Sequence, residues 1–201
     1  MKKFCLFSVL SIFLLSCNSE LKEDAVFDPK NPETPAIAKR ADTLMAEVVS
    51  VFLFRNYGVE LYVQTKNNNN LLRVDNFDNL PENLVASYNI IRNSKDEVIY
   101  TAEFPYSASG EWENIYEHIF NDDGNLLLFM RKSTFQNGRQ SVSEKSEYYY
   151  NAAHKLLKKT YEIKDDKDQE ITDYSEISFL YRFPYEQYKT RSEWLKAHKI
   201  D

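Results

Sequence analysis

The sequence predicts a mainly β, α+β protein, with an N-terminal helix packed on a curled antiparallel meander of about nine strands and a short C-terminal helix after it. Three observations carry this. Apolar residues recur at spacings of 3 or 4 between Ile37 and Phe52, they alternate with polar residues from Val59 onward, and Asn- and Asp-led turn sequences interrupt the second region at nearly even intervals. With 43% hydrophobic and 14% aromatic residues and only four glycines, disorder, collagen and a Gly-rich nucleotide loop are poor readings.

Taken in order, Met1 to Cys17 reads MKKFCLFSVLSIFLLSC: two lysines, an apolar run from Phe4 to Leu15, and a small residue before cysteine. That order is a signal peptide over 1–16. The run of about twelve residues is short of the roughly 20 that a permanent transmembrane helix needs. Leu14-Leu15-Ser16-Cys17 resembles the lipobox of bacterial lipoproteins. The resemblance implies a lipidated Cys17 as the mature N-terminus, and a protein anchored in the cell envelope at the outer membrane, facing either the periplasm or the surface. The alternative is an ordinary secretory signal that leaves a thiol at Cys17.

Cleavage before Cys17 leaves 185 residues (201 − 16), the length of one domain. Cys5 leaves with the signal and Cys17 carries lipid, so no thiol remains for a disulfide, a Cys-ligated metal or Cys catalysis. Loss of Lys2 and Lys3 takes the formal charge from −6 to −8. An acidic surface repels phosphate backbones, which argues against nucleic acid as a partner.

Residues 17–34 are the anchor and a linker: Glu20, Glu23, Asp24, Asp28 and Glu33 alternate with Pro29 and Pro32 without helical or strand periodicity. The seventeen residues after Cys17 span roughly 23 Å as a coil and at most about 55 Å extended, enough to hold a globule clear of the headgroups. The acidic stretch resembles the surface-export signals of Bacteroidota lipoproteins, and a merely solvated linker is the plainer reading.

Residues 35–201 form the globular body. Thr34 before Pro35 is an N-cap signal, and Ile37, Ala41, Leu44, Met45, Val48 and Phe52 make an amphipathic stripe. The run Val48 to Phe54 is β-branched and aromatic, so it fits either the end of this helix or a first strand. Strands are expected near 59–66, 71–74, 84–92, 98–104, 112–120, 126–135, 141–150, 156–163 and 170–183, and a helix over Tyr185 to Ile200.

The segments that begin at Asn93, Asn121 and Asn151 align without gaps, each with a turn-forming start and two aliphatics at the sixth and seventh places. Lys66-Asn-Asn-Asn-Asn-Leu-Leu72 fits all but its first place. Gln136-Asn137-Gly138-Arg139 is an intervening turn. Phe120-Asn121-Asp122-Asp123-Gly124-Asn125-Leu126 resembles the YD-type hairpin repeats of RHS-like proteins, which implies architecture and no activity.

Chemistry-bearing motifs are sparse. His118, His154 and His198 form no HxH or HExxH arrangement, and GxSxG and P-loop signatures are missing, so no catalytic residue or cofactor is assigned. Asp166, Asp168 and Glu170, with Asp165, offer oxygens to Ca²⁺ but lack the loop glycine of an EF-hand, and a solvated turn is the plainer reading. Glu111 and Glu113 flank Trp112, but alternation puts the acids on the strand face opposite the indole, which weakens a shared sugar pocket.

Aromatics are the remaining lead. Tyr148-Tyr149-Tyr150 places rings on both faces of one strand, and the parity of Val142 makes Tyr148 and Tyr150 the structural pair and Tyr149 the exposed recognition residue. Trp112, Tyr116 and Tyr100 join it as candidate binding residues on neighbouring hairpins. The expected function is therefore a lipid-anchored, non-enzymatic envelope protein that binds a partner protein or glycan through an aromatic sheet face. The alternative is a carrier or receptor for a hydrophobic ligand, because a helix over a curled sheet is similar to the outer-membrane lipoprotein carrier fold; a glycan-active enzyme comes third.

Overall fold

The computed structural model describes residues 30–54, 58–76, 80–179 and 183–200, without the side chains of Phe54 and Asn69. The expected signal peptide, Cys17 and the expected linker up to residue 29 lie outside the described residues. Helix α1 spans Thr34–Phe54. The ambiguous run from Val48 is helical, because Val48 and Val51 continue the buried stripe of Ala41 and Leu44. Burial of a Val side chain is worth ~1.5 kcal/mol or more, which outweighs a helix-propensity cost of at most ~0.7 kcal/mol per residue.

Among the described residues eight antiparallel strands form one open sheet: β1 (Val59–Thr65), β2 (Asn68–Val74), β3 (Leu84–Arg92), β4 (Val98–Pro105), β5 (Trp112–Phe120), β6 (Leu126–Asn137), β7 (Gln140–Tyr150) and β8 (Leu156–Lys164). The order is β2-β1-β3-β4-β5-β6-β7-β8, so the plain meander begins at β3 and β2 is placed at an edge outside β1. The C-terminal helix α2 is shorter than expected, at Arg191–His198. Thr190 fixes its start: the hydroxyl accepts the Glu193 N–H at 3.1 Å, and the Glu193 carboxylate accepts the Lys189 N–H at 2.8 Å.

Among the described residues of 170–183 the expected ninth strand does not form. Glu170 makes one isolated bridge to Lys164 and the Ile171 N–H donates to the Ile163 carbonyl at 2.9 Å, after which the described part of the segment leaves the sheet. Its apolar residues have another use. Ile171, Ile177 and Phe179 pack on Phe135, Val142 and Ile163 across a sheet face, so their alternation came from covering a core and not from pairing with β8.

Register explains why both faces are covered. On one face Ile91, Tyr100, Ile119, Leu128 and Tyr149 stand directly opposite one another across five strands, all buried, and the α1 stripe packs on this row. One residue over, Ile90, Thr101, His118, Phe129 and Tyr148 form the matching row on the other face. There the chain from Phe183 to Ile200 lies across the sheet, with Tyr185 stacked on Phe129 at 5.3 Å and Trp194 edge-on to Tyr88 at 6.4 Å. A two-sided cover accounts for unbroken buried runs such as Val98–Ala102 and Leu126–Met130, which a half-exposed strand would not show.

The turn repeat has a shared geometry. At Asn93, Asn121 and Asn151 the side-chain oxygen accepts the N–H four residues on, at 2.9–3.0 Å, and the backbone pairs across the same span. The fourth residue of each is left-handed: Asp96 (φ 63), Gly124 (φ 77) and His154 (φ 56). Asp165 makes the same loop, with Asp168 at φ 61, so the fourth member is this one. Lys66 does not share it, since Thr65 pairs with Asn68 around a two-residue turn.

Candidate functional site

The aromatic candidates are core residues. Tyr149 is 5% exposed, Tyr100 4% and Tyr116 3%, while Trp112 is half-buried with its ring 4.4 Å from Phe183. The exposed recognition role expected for Tyr149 is thereby corrected. It does face away from Tyr148 and Tyr150, as alternation requires, but α1 occupies that face and Tyr150 is buried on the other. Glu113 lies opposite Thr134 and Trp112 opposite Phe135, so the acid and the indole sit on different faces as the alternation predicts.

Where α1 ends its contact, the same face opens. Beyond the row of Glu117, Met130 and Glu147, the next row carries Ile115, Lys132, Lys145 and Glu162, and the one after it Glu113, Thr134, Ser143 and Lys164. These two rows, apart from Glu113, floor an open cleft of about 250 Å³ that Ser133, Glu144 and Asp168 also line. Thr134 and Ser143 are exposed; the side chains of Lys132 and Lys145 are 38% and 37% exposed.

Two parallel chains of contacts hold those lysines. The Tyr100 hydroxyl donates to Glu117 Oε1 at 2.7 Å, and Glu117 Oε2 pairs with Lys132 Nζ at 2.6 Å. Along β7 the Tyr149 hydroxyl donates to Glu147 Oε2 at 3.1 Å, and Glu147 Oε1 pairs with Lys145 Nζ at 2.6 Å. Thr160 adds a bond to Glu147 at 2.9 Å. Burial and the neighbouring carboxylates push both tyrosine hydroxyls above their ordinary pKa, so each stays a donor. Burial raises the Glu147 carboxyl, but the bonds from Lys145 and Thr160 outweigh it and the net direction is down. Glu147 is therefore ionised.

At the far end Lys164 Nζ lies 3.2 Å from Asp168 and 3.6 Å from Glu162. That pairing bears on the calcium candidates. Asp165 spends its carboxylate on the Lys167 and Gln169 N–H groups, Asp168 is paired to Lys164, and Glu170 sits in the bridge to β8, so Asp166, Asp168 and Glu170 do not converge. Among the described residues no three His, Cys, Asp or Glu side chains are grouped to hold a metal.

The histidines belong to the packing. His118 is 3% exposed and accepts the Tyr188 N–H on Nε2 at 3.3 Å, which puts its proton on Nδ1. Burial, with His198 adding to it, lowers its pKa to about 3. His154 stacks on Tyr150 at 4.5 Å, and His198 stacks on Trp194 at 4.2 Å.

Glu117, Lys132, Thr134, Ser143, Lys145 and Glu147 were not singled out from the sequence, yet a signal existed. A two-residue turn at Gly138–Arg139 pairs Asn137 with Gln140, and counting back along both strands sets Thr134 opposite Ser143 and Lys132 opposite Lys145. The part played by Glu117 and Tyr100 needed the neighbouring pairings as well. Comparison of the chain with family models, with curated proteins and with solved structures found no match.

Proposed function

We propose that this chain is a lipid-anchored, non-enzymatic protein of the cell envelope that binds a partner protein or glycan, and that the polar cleft beyond α1 is the surface it uses. The observation that carries the reading is the division of one sheet face. One half is filled by Leu44, Val48 and Val51 of α1, whereas the other half presents lysines, hydroxyls and carboxylates to solvent. A carrier for a hydrophobic ligand needs apolar room on that face, and the filled half takes it away while the open half is polar.

Charged and hydroxyl groups held on a paired sheet bind without rearrangement, which limits the entropy lost on association. The lipobox supports the anchor, and the linker supplies reach. A photo-crosslinking residue at position 134, in the full-length lipidated chain in its native envelope, tests the surface. Crosslinks to an envelope glycan or protein are expected from 134 and not from position 192 on α2. Equal yields from both positions, or none from either, overturn the assignment.

A further inference from the structure

We propose that Lys132 and Lys145, with the hydroxyls of Thr134 and Ser143, form an oxyanion site that holds the carboxylate of an acidic sugar, a uronate. This rests on the cleft being the binding surface. Register is the first argument: Lys132 is directly opposite Lys145, and Thr134 directly opposite Ser143, giving a block of four donors on two strands. Like charges directly opposed across an antiparallel pair are destabilising, and here the Glu117 and Glu147 carboxylates offset the two ammoniums.

Burial is the second. Side-chain exposure is 5% for Glu117 and 16% for Glu147, against 38% and 37% for their lysines. Tyr100 and Tyr149 hold the carboxylates from beneath. Each acid thus grips its ammonium from the core side, and an ammonium has three donors, so further N–H groups face the cleft. Acid ends buried and ammonium ends exposed make a surface that offers donors to a negative group, although Glu117, Glu147, Glu162 and Asp168 outnumber Lys132, Lys145 and Lys164 in the cluster as a whole.

The remaining groups set the ligand class. Glu162, directly opposite Lys145 on β8, and Asp168 are held by Lys164 and line that side of the cleft as acceptors for hydroxyl groups, and Ile115 provides a small apolar floor. A ligand with one oxyanion and several hydroxyls meets both ends. The volume of about 250 Å³ suits a small polar molecule. A protein epitope would need more area and an apolar centre.

The test is a chemical-shift titration of the ¹⁵N-labelled full-length chain in detergent micelles with galacturonate, galactose and sodium sulfate in separate arms. Galacturonate is expected to shift the amides of Lys132, Thr134, Ser143 and Lys145 saturably, with galactose and sulfate at least tenfold weaker. Ser143→Asp changes an exposed residue and puts a like charge beside the bound carboxylate, so it should weaken galacturonate at least tenfold while the rest of the spectrum stays in place. Galactose binding as well as galacturonate at the same four amides overturns the oxyanion site and leaves the glycan-binding cleft standing. Sulfate binding as well as galacturonate reduces the site to a bare-anion site and overturns the sugar. No shift at the cleft in any arm, together with no crosslink from position 134, overturns both.

Discussion

Gly124 shows how much a single backbone angle decides. Its φ of 77° lies in the left-handed region, and a Cβ there would meet the Arg191 guanidinium at 3.3 Å. That guanidinium reaches the Val98 carbonyl at 3.2 Å and Glu97 at 3.3 Å, tying α2 to the β3–β4 turn. Gly124→Val is expected to cost roughly 1–2 kcal/mol from backbone strain, read as a lower melting temperature. Gly124→Asn should cost less, since Asp96, His154 and Asp168 hold the same position in the sister turns. Equal melting temperatures for wild type and Gly124→Val would remove the strain argument. Tyr149 is the second case. Buried beneath α1 and bonded to Glu147, it should lose roughly 3–5 kcal/mol as Tyr149→Ala, judged from large-to-small core changes, and half-buried Tyr148 should lose less. Urea unfolding of the two variants ranks them, and the reverse order would contradict the face assignment.

At the scale of elements, the C-terminal segment is a cover over charged and aromatic groups. Its Tyr188 N–H is bonded to His118, and Glu186 faces Glu103 on β4. Burial, then the Glu186 carboxylate, raises the Glu103 pKa to about 7. The two shifts have opposite consequences for stability. His118 folds neutral with a pKa of about 3 against an ordinary 6.5, so the unfolded chain binds more protons between those values. Stability from this residue falls as pH drops through that window, by at most roughly 1.4 kcal/mol per pH unit. Glu103 holds its proton in the folded state between about 4.5 and 7, so its contribution is lost as pH rises through that window. Between 4.5 and 6.5 they oppose each other. Urea midpoints from pH 4.5 to 7.5 should therefore be flatter for wild type than for either variant. His118→Gln should keep only the loss toward high pH, and Glu103→Gln only the loss toward low pH. Parallel profiles for all three would contradict both assignments.

For the whole molecule, the proposed attachment and the proposed binding belong to separate parts of the chain. Replacement of Cys17 by Ser is expected to abolish lipid labelling and to move the protein from the membrane to the soluble fraction, because the lipid of a lipobox protein is added to that thiol. Among the described residues no helix is long and apolar enough to cross a membrane. Retention of label and membrane association by Cys17→Ser would refute the lipobox. The sheet itself is protected unevenly: both faces carry a cover, while β2 and β8 end it with edges that pair on one side only along most of their length. Charged residues on the edge strands, such as Arg73 on β2 and Lys158, Lys159 and Lys164 on β8, disfavour pairing between copies.

Local order was legible in the sequence. Helix α1, the start and end of most strands, the Asn-led turns at 93, 121 and 151 and the opposite faces of Tyr148 and Tyr149 follow from periods of 3.6 and 2 and from side-chain-to-backbone bonds that span at most four residues. What covers each face was not legible. Alternation places Tyr149 opposite its neighbours but is silent on whether helix or water meets it, and it reads Ile177 and Phe179 as a strand when they pack over one. The cleft lay in between: Lys132 and Lys145 are set opposite each other by a turn the sequence displays, yet their carboxylate partners come from β5 and from two places further along β7. Only the tertiary structure supplied those contacts, because they depend on strand order and on where α1 stops. Both are settled by competition among long-range burials that no local pattern encodes.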